Sequence, residues 1–92
     1  MFATRLKFPP GVAFQQLGDD QDGVMMSLAS GYLYRCNRTA SVVLAAIAEG
    51  KSVEDATDQL AKTFGVDAER AGQDVRTLVA RLCEKKLLCA AA

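Results

Sequence analysis

The chain has 92 residues and a mass of 9.8 kDa, room for one domain over residues 1–92, near the lower limit of size for folding without disulfides or metals. Half the residues are hydrophobic and 24% are charged, the balance of a globular protein rather than a disordered one. Eleven Lys and Arg against eleven Asp and Glu leave no basic excess to hold nucleic acid, and the lack of any His removes the usual general base and the commonest metal ligand.

Taken in chain order, the segment from Met1 to Gly11 carries Arg5 and Lys7 but no apolar run long enough for a signal-peptide core, and Pro9-Pro10-Gly11 closes it as a short leader-like arm. Val12 to Leu17 has the length of a strand. A polar cluster, Gly18 to Gly23, then forms a loop. Val24, Met26 and Leu28 alternate with Met25 and Ser27, which predicts a half-buried second strand, and Ala29-Ser30-Gly31 turns the chain into a third, Tyr32 to Cys36.

From Asn37 the apolar period lengthens. Asn37 or Thr39 caps a first helix whose stripe is Ala40, Val43, Leu44 and Ile47, stopped at Gly50. Ser52 with Asp55 opens a second helix with the stripe Val53, Ala56, Leu60 and Phe64, ended by Gly65. Asp67 caps a third helix with Ala71, Val75, Leu78 and Leu82 on one face, and the chain leaves it at Leu87-Leu88. Ala90 to Ala92 is expected to fray. The order predicts an α+β, winged-helix-like fold: a three-stranded antiparallel sheet followed by three helices, with its core over about 11–88.

Cys36, Cys83 and Cys89 are odd in number and contain no C-x-x-C pair, so they suggest neither a disulfide framework nor a zinc site. The longest apolar run, Val42 to Ala48, is far short of the ~20 residues of a membrane span. The chain therefore reads as a cytoplasmic protein with no metal, cofactor or membrane contact.

Function is expected at an edge of the sheet. A strand with free N–H and C=O groups invites another strand, and Tyr32, Leu33 and Tyr34 concentrate apolar surface there with Arg35 as the one charge. The competing structural reading has Tyr34 and Cys36 filling the core while Tyr32 and Leu33 cover the first helix. On the third helix, Arg70, Asp74, Thr77, Arg81 and Lys85 share a flank beside the apolar stripe. If that flank borders the third strand, the two form a groove for an extended peptide; otherwise the charges are a solvated face.

These residues resemble a known family. Gly31-Tyr32-Leu33-Tyr34-Arg35-Cys36-Asn37, the Glu49-Gly50-Lys51-Ser52-Val53 link, Gly65-Val66-Asp67, Asp74-Val75 and Lys86-Leu87-Leu88 are similar in order and spacing to the PqqD-like proteins, over about residues 11 to 88. The resemblance implies a non-catalytic element that binds the leader of a ribosomally made precursor peptide as an added strand against the third strand and third helix. Among such proteins the chain looks most like the stand-alone B1 proteins of lasso-peptide biosynthesis, which present the leader to a cysteine-protease-like peptidase ahead of an ATP-dependent cyclase. The quinone-pathway proteins, which deliver a peptide to a radical enzyme, are the alternative; the stretch Met26 to Gly31 lacks their usual proline and acid, and Cys36 replaces the family's usual Leu. Carried across, the peptide-binding positions are Tyr32, Leu33, Tyr34, Arg35, Asp74, Leu78 and Arg81. Leu33, Tyr34 and Leu78 are expected to bound an apolar pocket, with Asp74 and Arg81 fixing register.

Three readings compete. A winged-helix DNA-binding module fits the element order but not the charge, because Glu69, Asp74 and Glu84 dilute the third helix. A carrier protein would need an acidic-Ser-Leu context that none of Ser27, Ser30, Ser41 and Ser52 has. An enzyme using Cys83 or Cys89 would lack an imidazole to activate the thiol.

Overall fold

Alternation at period two builds the sheet. The computed structural model describes residues 5–17 and 22–91, with β1 (Leu6–Lys7), β2 (Val12–Gln16), β3 (Gly23–Ser27), β4 (Leu33–Cys36), α1 (Arg38–Ala48), α2 (Val53–Phe64), α3 (Ala68–Glu84) and β5 (Cys89–Ala90). β2, β3 and β4 form an antiparallel meander in that order, with Met25 opposite both Phe14 and Tyr34. Met25 and Cys36 are buried on the inner face with Phe14 and Tyr34 packed beside them, whereas Ala13, Met26, Leu33 and Arg35 lie on the other face and are exposed. This is the α+β arrangement expected from the sequence. β4 starts one residue later than predicted, at Leu33, and Gly18 to Gln21 of the predicted loop lie outside the described residues.

Side-chain caps set where the helices begin. Asn37 Oδ1 accepts the Ala40 N–H at 2.8 Å, Ser52 Oγ accepts that of Asp55 at 3.1 Å, and Asp67 Oδ1 accepts that of Arg70 at 2.9 Å. α1 lies on the inner face of the sheet, α2 packs on α1, and α3 packs on α2. Leu44, Leu60, Val43 and Val75 are fully buried between them; each such side chain contributes about 1.5–3 kcal/mol relative to exposure.

Both ends of the chain depart from the sequence reading. The leader-like arm and the tail expected to fray pair with each other: Leu6 faces Ala90, Lys7 faces Cys89, and the Ala91 N–H donates to the Arg5 carbonyl at 3.0 Å. Two-residue strands are too short to show a period. What holds them is the ground beneath, because Leu87 and Leu88 are buried and Phe8 stacks on Phe14 with centroids 6.3 Å apart. Ala92 lies outside the described residues.

Gly23 is the tightest point between sheet and helix. A Cβ there would stand 2.7 Å from Phe14 Cε1 and 2.8 Å from Ser41 Oγ. Gly23→Ala is expected to lower the unfolding free energy by about 1–3 kcal/mol, read as a lower urea midpoint at unchanged slope. An unchanged midpoint would contradict this packing.

Candidate functional site

β4 is an edge strand, and its register decides what the edge offers. The Ser27 N–H donates to the Tyr32 carbonyl at 3.1 Å, and Ser27 and Tyr32 continue the ladder in which Met25 faces Tyr34 and Gly23 faces Cys36. Hydrogen-bonded pairs alternate in an antiparallel ladder, so Tyr32, Tyr34 and Cys36 direct their main chain at β3. Leu33 and Arg35 therefore direct theirs away from the sheet. The opposite edge is less open: at β2 the Val12 N–H is bound to the Pro9 carbonyl at 3.1 Å, beside the Phe8–Phe14 stack.

Facing the β4 edge is the flank of α3. Because α3 packs on α2 rather than on the sheet, a groove runs between β4, the start of α1 and α3, made of two adjoining hollows of about 270 and 210 Å³. They share Asn37, Ala40, Leu78 and Arg81. The hollow at the strand end is lined by Tyr34, Cys36, Leu82 and Lys85 among others, and the hollow at the far end by Val43, Leu60, Asp74 and Thr77. Larger hollows, such as one of about 400 Å³ between Val53, Thr57 and Val79, adjoin no unpaired strand.

The groove brings together Tyr34, Arg35, Asp74, Leu78 and Arg81 of the residues picked out by sequence. Leu33 is a correction: it does not join Tyr34 and Leu78 in an apolar pocket. It lies on the outer face of the sheet opposite Met26, 59% exposed, because residues 33 and 34 of a strand must point to opposite faces. The same alternation sends the Arg35 side chain outward, where it meets the Asp22 carboxylate at 3.5 Å, so Arg35 offers the groove its main chain. Tyr32 is 65% exposed and sets its ring edge-on to Tyr34 at 6.2 Å; neither it nor Leu33 is buried under α1.

Sequence reasoning assigned no role to Lys85, although its helical phase placed it on the same flank. Its ammonium sits 5.6 Å from the centroid of the Tyr34 ring and bridges the two walls at the strand end. Asp74 and Arg81 are exposed, and their side chains have no ion pair or hydrogen bond among the described residues. The groove thus has an apolar floor, an unpaired main-chain edge and a charged rim. Among the described residues no His/Cys/Asp/Glu cluster could hold a metal, and no helix is long and apolar enough to cross a membrane.

Comparisons with known proteins agree with this architecture. Residues 22–88 match the family model described as coenzyme PQQ synthesis protein D (PqqD). The structure of TbiB1 in complex with the TbiA(beta) leader peptide superposes with a TM-score of 0.82 at 24% identity, covering 94% of this chain and 98% of that one, a likeness of fold. No curated protein matches.

The thiols report on the groove wall. Burial pushes the Cys36 thiol up from its usual range, whereas Cys83 is exposed on α3. With iodoacetamide at pH 8, peptide mapping should find Cys83 alkylated well before Cys36. Equal rates would contradict a closed wall at Cys36.

Proposed function

The chain belongs to the PqqD family, and from that premise we propose that it captures the leader of a ribosomally synthesised precursor peptide in the groove between β4 and α3. The leader adds as a further strand to Leu33 and Arg35, whose main-chain groups supply affinity, while Tyr34, Leu78 and Leu82 receive an apolar side chain. Strand addition suits a flexible ligand, because main-chain pairing requires no preformed shape. Holding such a segment while an enzyme works on it needs a Kd between nanomolar and micromolar, about −8 to −12 kcal/mol, after the cost of ordering the peptide.

The observation that carries this reading is the coincidence of an unpaired strand edge with an apolar groove beside it. TbiB1, similar in fold over nearly its whole length, was solved with a leader peptide. The pathway assigned is lasso-peptide biosynthesis, in which the protein itself performs no chemistry. It presents the leader to a cysteine-protease-like leader peptidase, and the core peptide then passes to an ATP-dependent cyclase, in the cytoplasm. The description of the matched family favours a second reading, a peptide chaperone of pyrroloquinoline quinone synthesis. Both readings use the same groove and differ in the peptide and in the enzyme that receives it.

The deciding experiment titrates the protein against fluorescein-labelled leader segments of precursor peptides encoded beside its gene, with a random DNA duplex as control. Saturable binding at micromolar Kd or tighter is expected for a leader and none for DNA; the reverse would replace the peptide reading with DNA binding. Two variants locate the site. Arg35→Pro deletes an N–H that points away from β3, so the domain should keep its circular dichroism while leader affinity falls about tenfold or more. Leu78→Asp puts a charge on the groove floor and should weaken binding by a similar factor, about 1.4 kcal/mol or more. Unchanged affinity in both would remove the groove from the account.

A further inference from the structure

Resting on the leader-capture reading, we infer that the groove selects its peptide by the order of charge along the chain: a basic residue followed, three to five positions later, by an acidic one. The charges on the groove rim are separated by sign. Of the two hollows, Lys85 lines only the one at the β4 end, Arg81 lines both, and Asp74 lines only the far one, beyond which Arg70 shares a separate open hollow with Asp67 and Glu69. Asp74 and Arg81 have no ion-pair partner among the described residues, and Lys85 has only the Tyr34 ring, so this separation faces whatever enters the groove.

The spacing follows from geometry. A helix advances about 1.5 Å per residue, so Arg81 lies about 10 Å and Lys85 about 16 Å along α3 from Asp74. An extended peptide advances about 3.3 Å per residue and covers those distances in about three and five residues. The direction follows from β4, which runs from the Lys85 end at Tyr34 toward the Asp74 end through Asn37. A strand added in the commoner antiparallel sense runs the opposite way, meeting Asp74 first and the two cations afterwards. A Lys or Arg is therefore matched near Asp74 and an Asp or Glu near Arg81 and Lys85. A peptide of the same composition in reversed order brings like charges together at both ends.

A displayed library of random 12-residue peptides tests this without knowledge of the natural leader. The wild-type protein is expected to enrich peptides with base before acid at that spacing by about fivefold over the reversed order, as two partly exposed charge pairs would give. The triple variant Asp74→Lys, Arg81→Glu, Lys85→Glu should enrich the reversed order, and the neutral variant Asp74→Asn, Arg81→Gln, Lys85→Gln should enrich peptides with no order. All three positions are exposed, so circular dichroism should be unchanged. Enrichment of peptides without charge order, or an order that survives reversal of the three side chains, would overturn the inference and leave peptide capture standing. Enrichment of no peptide at all would overturn both.

Discussion

A β-strand cannot turn two successive residues the same way, and the site follows from that constraint. Burying Met25 and Cys36 on the inner face fixes the register of β3 against β4, and that register spends the Tyr32 carbonyl and the main-chain groups of Tyr34 and Cys36 on β3. Those of Leu33 and Arg35 are then left at the edge. The chain leaves β4 at once through Asn37, whose side chain caps α1, and among the described residues no other strand covers the edge. Since α3 packs on α2 instead, the edge opens on a groove rather than on a helix wall.

The groove wall is continuous with the turn that ends α3. α3 ends in a tight turn in which Lys86 adopts a left-handed conformation (φ 62°), the Leu87 N–H donates to the Leu82 carbonyl at 2.8 Å and the Lys86 N–H to that of Cys83 at 3.0 Å. That turn brings Leu87 and Leu88 back into the core, with Leu87 also forming part of the groove wall. The β1–β5 pairing and the Arg5 guanidinium, which donates to the Gly50 carbonyl, then tie both ends of the described chain to the body of the fold. Groove shape and fold stability share these residues. The charged rim does not: Asp74, Arg81 and Lys85 are exposed, so their substitution is expected to have little effect on folding.

Most of the sheet and all three helices were legible because each had a strong local signal. Asn37, Ser52 and Asp67 are capping residues placed ahead of apolar stripes. The facing of β3 was not legible: Val24, Met26 and Leu28 make its more apolar face by sequence, yet Met25 and Ser27 are the buried ones while Met26 and Leu28 are exposed. The terminal clasp was not legible, since two residues carry no period and their pairing joins opposite ends of the chain. Leu33 shows a different failure. Its apolar character suggested a pocket, but the pocket lies on the Tyr34 side of the strand, and only the pairing register tells which of two neighbours faces it. Lys85 had the right helical phase, yet its partner, the Tyr34 ring, comes from an element about fifty residues earlier, beyond the reach of a local pattern.

Strand addition depends on the unpaired main chain of β4, and amide hydrogen exchange followed by NMR tests it most directly. On adding a bound leader peptide, the Leu33 and Arg35 amides should become strongly protected while that of Tyr34, already bonded to β3, changes little. Protection confined to α3, or rising equally at residues 33, 34 and 35, would contradict strand addition at this edge.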